Sequence, residues 1–242
     1  SSDLADVVEE NTPGKKIYDL TNPDAQTLDN GKTITLTALA GAYNQNKQEL
    51  VLTTNVIANY DKQMEIKTNS GTYNFASERG FGNEKVIGNG EKGNFEADRF
   101  TFDKAKGIMT LIGNVYMKSA DTELRSPDKA ILFANNNKFI STNATVTKGN
   151  DILKGDELTA FFKDTKKFEI DKAFSKGHTE LYSGGKKAFA DNGEYNAANG
   201  QMKLIDNVKI IDNSGYVATA KNGLYDLGKK TFTLENNVRI VK

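Results

Sequence analysis

The sequence contains no cysteine, no tryptophan and one histidine among its 242 residues. Without cysteine the chain can form neither a disulfide nor a thiolate metal site, and it has no cysteine nucleophile. The lone histidine, His178, would have to carry any histidine-based triad or metal cluster by itself, and no nucleophile motif adjoins it. We interpret His178 as an ordinary solvent-facing residue near the start of a strand.

Net charge and long apolar runs are also absent. Lysine and arginine total 32, and so do aspartate and glutamate, so we expect no nucleic-acid partner. No apolar run approaches the ~20 residues of a membrane-spanning helix. The stretch from Ser1 to Asn11 is acidic, unlike a secretion signal. Any signal peptide or membrane anchor is expected to lie outside this sequence.

The residues around the possible catalytic and cofactor-binding motifs are not predicted to form the structure that such sites need. Gly88 to Gly93 matches G-x-G-x-x-G, but Asn94 to Phe102 predicts a strand where a dinucleotide site needs a helix. We interpret these glycines as turn or bulge positions. No spacing singles out a catalytic carboxylate pair. Four aspartates recur near predicted strand starts, where they suit turns: Asp98, Asp128, Asp156 and Asp191. We predict a protein that is not an enzyme and has no cofactor and no metal site.

The sequence does contain a regular alternation of apolar and polar residues, with a period of two. From Lys32 onward short runs alternate apolar and polar residues, which is typical of half-buried strands. Residues 1–30, with Pro13 and Pro23, lack this period and are predicted to be an N-terminal tail. Turns rich in Asn, Asp, Gly and Lys separate the runs and predict hairpins. They are Asn44–Glu49, Asp103–Gly107, Asn135–Lys138, Lys163–Lys167, Asn196–Gly200 and Asp226–Lys230.

An internal repeat links these hairpins. Its unit reads Gly-x-Tyr-Asn/Asp, a turn, and then Leu-x-x-Asn-Val. Three clear copies keep a spacing of 12 from tyrosine to asparagine: Tyr43 to Asn55, Tyr195 to Asn207 and Tyr225 to Asn237. Because a single hairpin cannot bury its own apolar face, the hairpins must stack, which predicts roughly 14 strands in two facing sheets.

The return strands place apolar residues on one face. Alternation assigns Leu204 and Val208 to this face and Lys203 and Lys209 to the opposite one. Stacking aligns the apolar faces into one lining. Alternation does not report the distance between the sheets, so a closed core and an open groove both fit the pattern.

The repeat resembles the periplasmic lipopolysaccharide-transport bridge proteins of Gram-negative bacteria, the OstA-like LptA/LptC family. The Leu-x-x-Asn-Val returns carry the resemblance, together with Ala-x-x-Gly-x-Tyr-Asp, which is clearest at Ala220–Asp226. Residues 31–118, especially Val86–Gly93 and Gly113–Val115, resemble LptC, and residues 119–242 resemble LptA. The resemblance implies an all-β, elongated, V-shaped β-jellyroll of stacked antiparallel hairpins, in two parts after the tail.

This resemblance implies a role in outer-membrane biogenesis. The protein would bind lipopolysaccharide in the periplasm and pass it from the inner to the outer membrane along an apolar groove. An inner-membrane anchor would belong to an N-terminal segment absent from this sequence. The lipid A acyl chains would contact a groove lining made of Leu52, Val56, Phe100, Phe102, Leu111, Val115, Leu204, Val208, Leu234 and Val238.

The end of the sequence predicts a partner edge. The run Asn237, Val238, Arg239, Ile240, Val241 continues the strand pattern, and an open strand can accept a neighbour through its unpaired backbone groups. We predict end-to-end strand addition with another Lpt-type component or a second copy, giving a head-to-tail homo-oligomer. A second interpretation stays open, in which Arg239 and Lys242 guard the edge and keep the chain monomeric.

The alternative function is that of a structural or adhesive β-repeat protein. Such a protein would have a closed core and no lipid ligand, because its apolar faces would bury only each other. Dry, filled packing between the sheets would favour this alternative.

Overall fold

The computed structural model describes residues 16–29, 32–60, 63–91, 93–164 and 169–242. Nearly all regular structure in these residues is antiparallel β-strand, with one 3-10 helix at Ala134–Asn136. The predicted all-β jellyroll of antiparallel hairpins is confirmed. By its contacts the chain forms two compact units, Ser1–Gly113 and Asn114–Lys242, called the first and the second unit.

The first unit contains eleven strands in the described residues. Each pairs in antiparallel fashion, mostly with its neighbour in the chain or the next strand but one. The strands are β1 Ile17–Thr21, β2 Asp24–Asp29, β3 Lys32–Thr37, β4 Ala40–Asn44, β5 Glu49–Tyr60, β6 Met64–Asn74, β7 Arg79–Gly82, β8 Val86–Gly90, β9 Gly93–Ala97, β10 Arg99–Asp103 and β11 Ile108–Ile112.

The second unit also contains eleven described strands, and its longest ones pair in chain order. They are β12 Val115–Ser119, β13 Thr122–Ser126, β14 Lys129–Phe133, β15 Lys138–Lys148, β16 Asp151–Asp164, β17 Glu169–Ser183, β18 Lys186–Asn196, β19 Gln201–Ile211, β20 Val217–Asp226, β21 Thr231–Glu235 and β22 Arg239–Val241.

The hairpin arms bend in the middle, and the bend accounts for the number of strands. β5 crosses its bend as one strand, whereas the arm opposite it is divided into β3 and β4. In the same way β6 faces β7 and β8, and β20 faces β21 and β22. The described residues therefore hold 22 strands, where counting each arm once predicted roughly 14.

The asparagine of the repeat lies at this bend. Left-handed backbone, with φ of 46° to 57°, occurs at Asn55, Asn207 and Asn237 of the three clear copies, and at Asn114 of the related run Leu111–Val115. In β5 and β19 the pairing register shifts at the same place, as expected for a β-bulge. Asparagine adopts left-handed backbone more readily than most residues. The constant spacing of the repeat therefore places an asparagine where the bend requires left-handed backbone.

The leucine and valine on either side of the bend enter one core. In the first unit Leu52 and Val56 pack with Ala38. In the second unit Leu204 and Val208 pack in one cluster with Tyr225. Full burial of such a side chain contributes about 1.5 to 3 kcal/mol, so each arm stabilises the fold through both of its halves.

The bends divide the second unit into two half-sheets. Half-sheet A holds the segments next to the turns at residues 134–137, 197–200 and 227–230, and half-sheet B holds those next to the turns at 149–150, 184–185 and 213–215. Met202, Leu204 and Tyr225 of half-sheet A share one core cluster with Leu181 and Val208 of half-sheet B. The half-sheets therefore pack against each other within this unit.

The hairpin turns follow the sequence prediction. Strand pairs meet at the turns predicted from Asn44, Asp103, Asn135, Asn196 and Asp226 onward, which confirms these five. The Lys163–Lys167 turn lies partly outside the described residues. Side chains close several of the turns: the Asp103 and Asp226 carboxylates accept hydrogen bonds from backbone N–H groups three residues later, at 3.0 and 2.9 Å. Asp226 directly follows Tyr225 of the repeat, and Asp103 directly follows Phe102.

The predicted tail is wrong for residues 17–29. β1 pairs with β4, and β2 pairs with β3. Asn22, with φ of 48°, and Pro23 form the bend between them, where the Pro23 oxygen accepts a hydrogen bond from Ala38 at 3.2 Å. A proline at a bend removes no ladder hydrogen bond, so Pro23 marks a bent arm. Residues 1–15 and 30 lie outside the described residues.

Candidate functional site

The interior face of the first unit carries an aromatic row. Cross-strand pairing brings its members together in the order Tyr18, Tyr43, Leu50, Tyr73, Gly80, Phe102, Met109. Ring centroids of Tyr18 and Tyr43 are 6.4 Å apart, and those of Tyr73 and Phe102 are 5.7 Å apart, with stacked planes. These side chains are half-buried, so the row is accessible at the edge of the core.

A second row lies deeper on the same face. Leu52 stands opposite Gly41 and Gly71, and Phe100 stands opposite Gly82 and Leu111. Leu52 and Leu111 are buried and Phe100 is half-buried. Of the residues predicted to line a groove, the structure thus places Leu52, Phe100, Phe102 and Leu111 on one face of the first unit.

The tyrosines of the aromatic row were not predicted as lining residues. They occupy the Gly-x-Tyr position of the repeat, and that was the signal available in the sequence. Gly80 and Gly82 were missed as well. Because glycine has no side chain, the rings of Phe102 and Phe100 can lie against the strand at these positions. A β-carbon at Gly80 or Gly82 would come within 2.1 and 2.3 Å of these rings, respectively.

The second unit encloses its predicted lining residues. Leu204 and Val208 are 0% and 1% exposed, and Val115 is buried. Leu234 is partly buried and packs on the Leu204 cluster. Val238 differs, with 49% of its surface exposed, because it belongs to the last arm of the described chain. A ligand could contact Leu204 or Val208 only if the half-sheets separated.

Small residues separate the leucines of an interior row in the second unit. One cross-strand row in half-sheet A runs Ala130, Ser141, Leu158, Ser175, Gly193, Leu204, Gly223, Leu234. Its buried hydroxyls are paired: Ser175 Oγ lies 2.8 Å from Thr179 Oγ1, and Ser141 Oγ donates to the Lys129 oxygen at 3.1 Å. Such pairing removes most of the cost of burying a hydroxyl. The row was not predicted from the sequence.

A polar network joins the two half-sheets of the second unit at their ends away from the bends. The Asp151 carboxylate accepts hydrogen bonds from Ser183 Oγ and Lys230 Nζ, and Ser183 Oγ also contacts the Tyr225 hydroxyl. Burial favours the neutral form of Asp151, but the hydrogen bonds from Lys230 and Ser183 outweigh it and hold the pKa of Asp151 below its usual value. The hydrogen bond between Lys230 and Asp151 also raises the pKa of Lys230.

The lone histidine lies at a bend inside β17 instead of near a strand start. It has φ of 42°, its side chain is 89% exposed, and its Nδ1 is 2.8 Å from Asp156 Oδ2. The hydrogen bond with Asp156 raises the pKa of His178. Solvent exposure agrees with the sequence interpretation, and the ion pair with Asp156 was not anticipated.

Three of the recurring aspartates form hydrogen bonds with residues at the bend of the next strand. Asn207 Nδ2 donates to Asp191 Oδ2 at 2.8 Å, and Asn143 Nδ2 donates to Asp128 Oδ2. His178 and Asp156 form the corresponding pair on β17 and β16. These carboxylates therefore have structural partners. In the described part of the chain, no group of three or more His, Cys, Asp or Glu side chains could hold a metal ion.

The predicted partner edge is exposed. β22 pairs with β20 through Val241 and Val217, Ile240 and Ala218, and Arg239 and Thr219. Ile240 and Val241 nevertheless expose 65% and 44% of their surface. Asn237, Val238 and Arg239 are exposed as well. Among the described residues, no helix has the length and apolar character needed to cross a membrane.

Comparisons with known proteins match both halves of the chain. Residues 5–120 match the family described as lipopolysaccharide-assembly, LptC-related. Residues 123–218 match the family described as LptA/(LptD N-terminal domain) LPS transport protein. No curated protein matches significantly. Among solved structures, the chain is similar to LptH of Pseudomonas aeruginosa, the LptA homologous periplasmic component of a lipopolysaccharide transport device. The identity is 16% and the TM-score 0.43, over 50% of this chain and 94% of that one.

Proposed function

We propose that this chain, a member of the lipopolysaccharide-transport bridge proteins with an LptC-like N-terminal half and an LptA-like C-terminal half, holds lipopolysaccharide by its acyl chains and passes it from the inner toward the outer membrane. Both families are non-enzymatic, and the chain is accordingly not an enzyme, as the sequence predicted. The observation that carries the proposal is the succession of two transport-family matches on hairpins whose interior rows are apolar.

The acyl chains are proposed to lie on the interior rows. Each methylene group moved from water to an apolar surface contributes about 0.8 kcal/mol, so several acyl chains supply ample affinity without a charged pocket. In the first unit the half-buried row from Tyr43 to Phe102 offers such a surface. The proposed lining consists of Leu52, Val56, Phe100, Phe102, Leu111, Val115, Leu204, Val208 and Leu234, with the sugar headgroup outside.

A photocrosslinking experiment tests the proposal. A photoreactive amino acid replaces Phe102, and the protein is expressed in the periplasm of a Gram-negative host. We expect a crosslink to lipopolysaccharide, because Phe102 lies in the accessible interior row. Thr101 is the matched control, since it is exposed and points to the other face of β10. Absence of lipopolysaccharide crosslinks at Phe100, Phe102 and Tyr73 alike would refute the proposed binding surface.

The exposed C-terminal edge is the proposed docking site for partners. β22 is three residues long and pairs with β20, and its exposed apolar side chains suit contact with an added strand. The added strand would come from another Lpt-type component or from a second copy of this chain. Strand addition would keep the interior rows of successive proteins in line.

One observation favours the alternative of a structural β-repeat protein. The side chains around Leu204 and Val208 fill the core of the second unit in this structure. A structural protein would keep this core closed under all conditions. Co-purifying lipid A in native mass spectrometry would exclude that alternative, and its absence together with a negative crosslinking result would support it.

A further inference from the structure

Four polar side chains meet where the half-sheets of the second unit come together away from their bends. Asp151 begins β16 and Ser183 ends β17, both in half-sheet B, whereas Tyr225 near the end of β20 and Lys230 in the next turn belong to half-sheet A. Asp151 accepts hydrogen bonds from Ser183 and Lys230, and Ser183 contacts Tyr225. We call these four residues the latch.

The latch stands between solvent and the core cluster. Ser183 and Tyr225 are 3% and 1% exposed. The Tyr225 ring belongs to the cluster that contains Leu204 and Val208, and its hydroxyl points into the latch. Asp151 and Lys230 lie further out, with 25% and 46% of their side-chain surfaces exposed. Tyr225 therefore connects the core cluster to a network whose outer members, Asp151 and Lys230, reach solvent.

The contacts that join the two half-sheets at the latch differ from the contacts that hold each half-sheet together. Within a half-sheet, neighbouring strands share backbone hydrogen bonds along their whole length. At the latch, only side chains join the two half-sheets. The ion pair of Lys230 with Asp151 is partly exposed, and such pairs exchange readily for contacts with water. At the opposite end the arms β16 to β20 run through their bends as continuous strands, and residues such as Asn207 have left-handed backbone there. Separation at the latch would thus leave the strand pairing intact.

We propose that the latch is a releasable closure, and that the half-sheets part at Asp151, Ser183, Tyr225 and Lys230 to admit an acyl chain to the Leu204 and Val208 cluster. This inference rests on the proposed function for the identity of the ligand. It explains how an interior with side chains 0% to 1% exposed can serve a transport protein. The first unit, with its half-buried aromatic row, needs no such release.

A thiol-labelling experiment tests the latch without lipid. Because the chain has no cysteine, Met202→Cys places a single thiol in the core cluster, and its reaction with 4,4′-dithiodipyridine reports opening. Lys230→Ala in this background should raise the labelling rate roughly tenfold, since a charge-assisted hydrogen bond is lost. Lys229→Ala is the matched control, because Lys229 pairs with Asp226 inside the same turn. Equal rates in the two variants would overturn the latch.

A disulfide test covers the case in which Met202→Cys impairs folding. A β-carbon at Gly184 would lie 3.5 Å from the Lys230 β-carbon, which is within the range of natural disulfides. Gly184→Cys with Lys230→Cys should therefore lock the opening when oxidised. With a photoreactive amino acid at Leu234, which packs on the Leu204 cluster, we expect the oxidised protein to give at least tenfold less crosslink to purified lipid A than the same protein reduced with dithiothreitol.

Gly184→Cys alone, oxidised and reduced, controls for the strain of a side chain at φ of +57°. Lipid A crosslinks of equal, nonzero yield at Leu234 in the locked and the reduced double variant would overturn the inference. If the thiol-labelling rates respond to Lys230→Ala but no form of the protein binds lipid A, the latch stands and the proposed function fails.

Discussion

The ring of Phe102 lies on the backbone of Gly80. These residues face each other across β10 and β7, and a β-carbon at Gly80 would come within 2.1 Å of the ring Cε1 atom. The aromatic row of the first unit therefore depends on the absence of a side chain at this strand position. A close aromatic contact over a strand glycine fills the space that the missing side chain would leave.

Gly80→Ala should lower the free energy of unfolding by about 1 to 3 kcal/mol, because the Phe102 ring must move to admit the methyl group. Gly71→Ala is the matched control, since a β-carbon there meets no atom within 4 Å, and we expect it to be neutral or slightly stabilising. Urea denaturation of both variants measures the difference. Equal stabilities would mean that Phe102 does not rest on Gly80.

Asn207→Ala should destabilise the protein by about 1 kcal/mol, whereas Asn207→Gly should cost less. Both substitutions remove the hydrogen bond to Asp191, but only alanine meets the steric penalty of left-handed backbone at φ of 53°. Thermal unfolding of the two variants separates the backbone effect from the side-chain effect. If glycine is the more harmful substitution, the hydrogen bond and not the backbone determines the asparagine of the repeat.

Val208→Asp should destabilise the second unit by several kcal/mol, because it places a carboxylate without a partner among apolar side chains. Lys209→Asp, one residue further on the exposed face, should change stability little. Circular dichroism with urea titration compares the variants. Similar losses at the two positions would show that the assignment of interior and exterior faces is wrong.

The ion pair at the bend of β17 predicts a pH dependence. The hydrogen bond with Asp156 raises the pKa of His178 above its usual value, so the stabilising contribution of the pair is fully present below the unfolded pKa and is lost as pH rises through the folded pKa. Because His178 is the only histidine, its NMR titration is unambiguous. Asp156→Asn should lower the measured pKa, and an unchanged value would exclude the pairing.

Removal of residues 237–242 should reduce self-association and the capture of Lpt-type partners, if β22 is the docking edge. Analytical ultracentrifugation measures the first effect and pull-down with purified partner components the second. Because Ile240 and Val241 are exposed, we expect the shortened protein to keep its fold, and circular dichroism checks it. Persistence of both associations would assign docking to another surface and leave Arg239 and Lys242 as guards of the edge.

The sequence was sufficient for the strands, the turns and the repeat, because these depend on local alternation and turn chemistry. Leu204 and Lys203 fall on opposite faces as alternation requires. The tail prediction failed at Pro23 because proline is compatible with both a disordered segment and a bend, and only the partner strand distinguishes them. The spacing of the repeat identifies Asn207, but it does not reveal the left-handed backbone at this residue.

The candidate site was less accessible to prediction, because its contacts join residues far apart in the chain. Asp151 and Lys230 are separated by 79 positions, and no local pattern relates them. The glycines beneath Phe100 and Phe102 look like ordinary turn residues until the cross-strand register is known. Closure of the core around Leu204 likewise follows from the distance between half-sheets, which alternation does not report.

The bend repeated in each arm makes the whole hairpin the unit by which this fold can change in length. Loss of one residue from an arm would move every side chain beyond it to the opposite face. Loss of the 30 residues from Asn196 to Tyr225 would instead join Tyr195 to the turn at Asp226 and place Leu234 opposite Gly193, where Leu204 now stands. Duplication or excision of such a module preserves every partnership that remains, so proteins of different reach can arise from one hairpin without a new core.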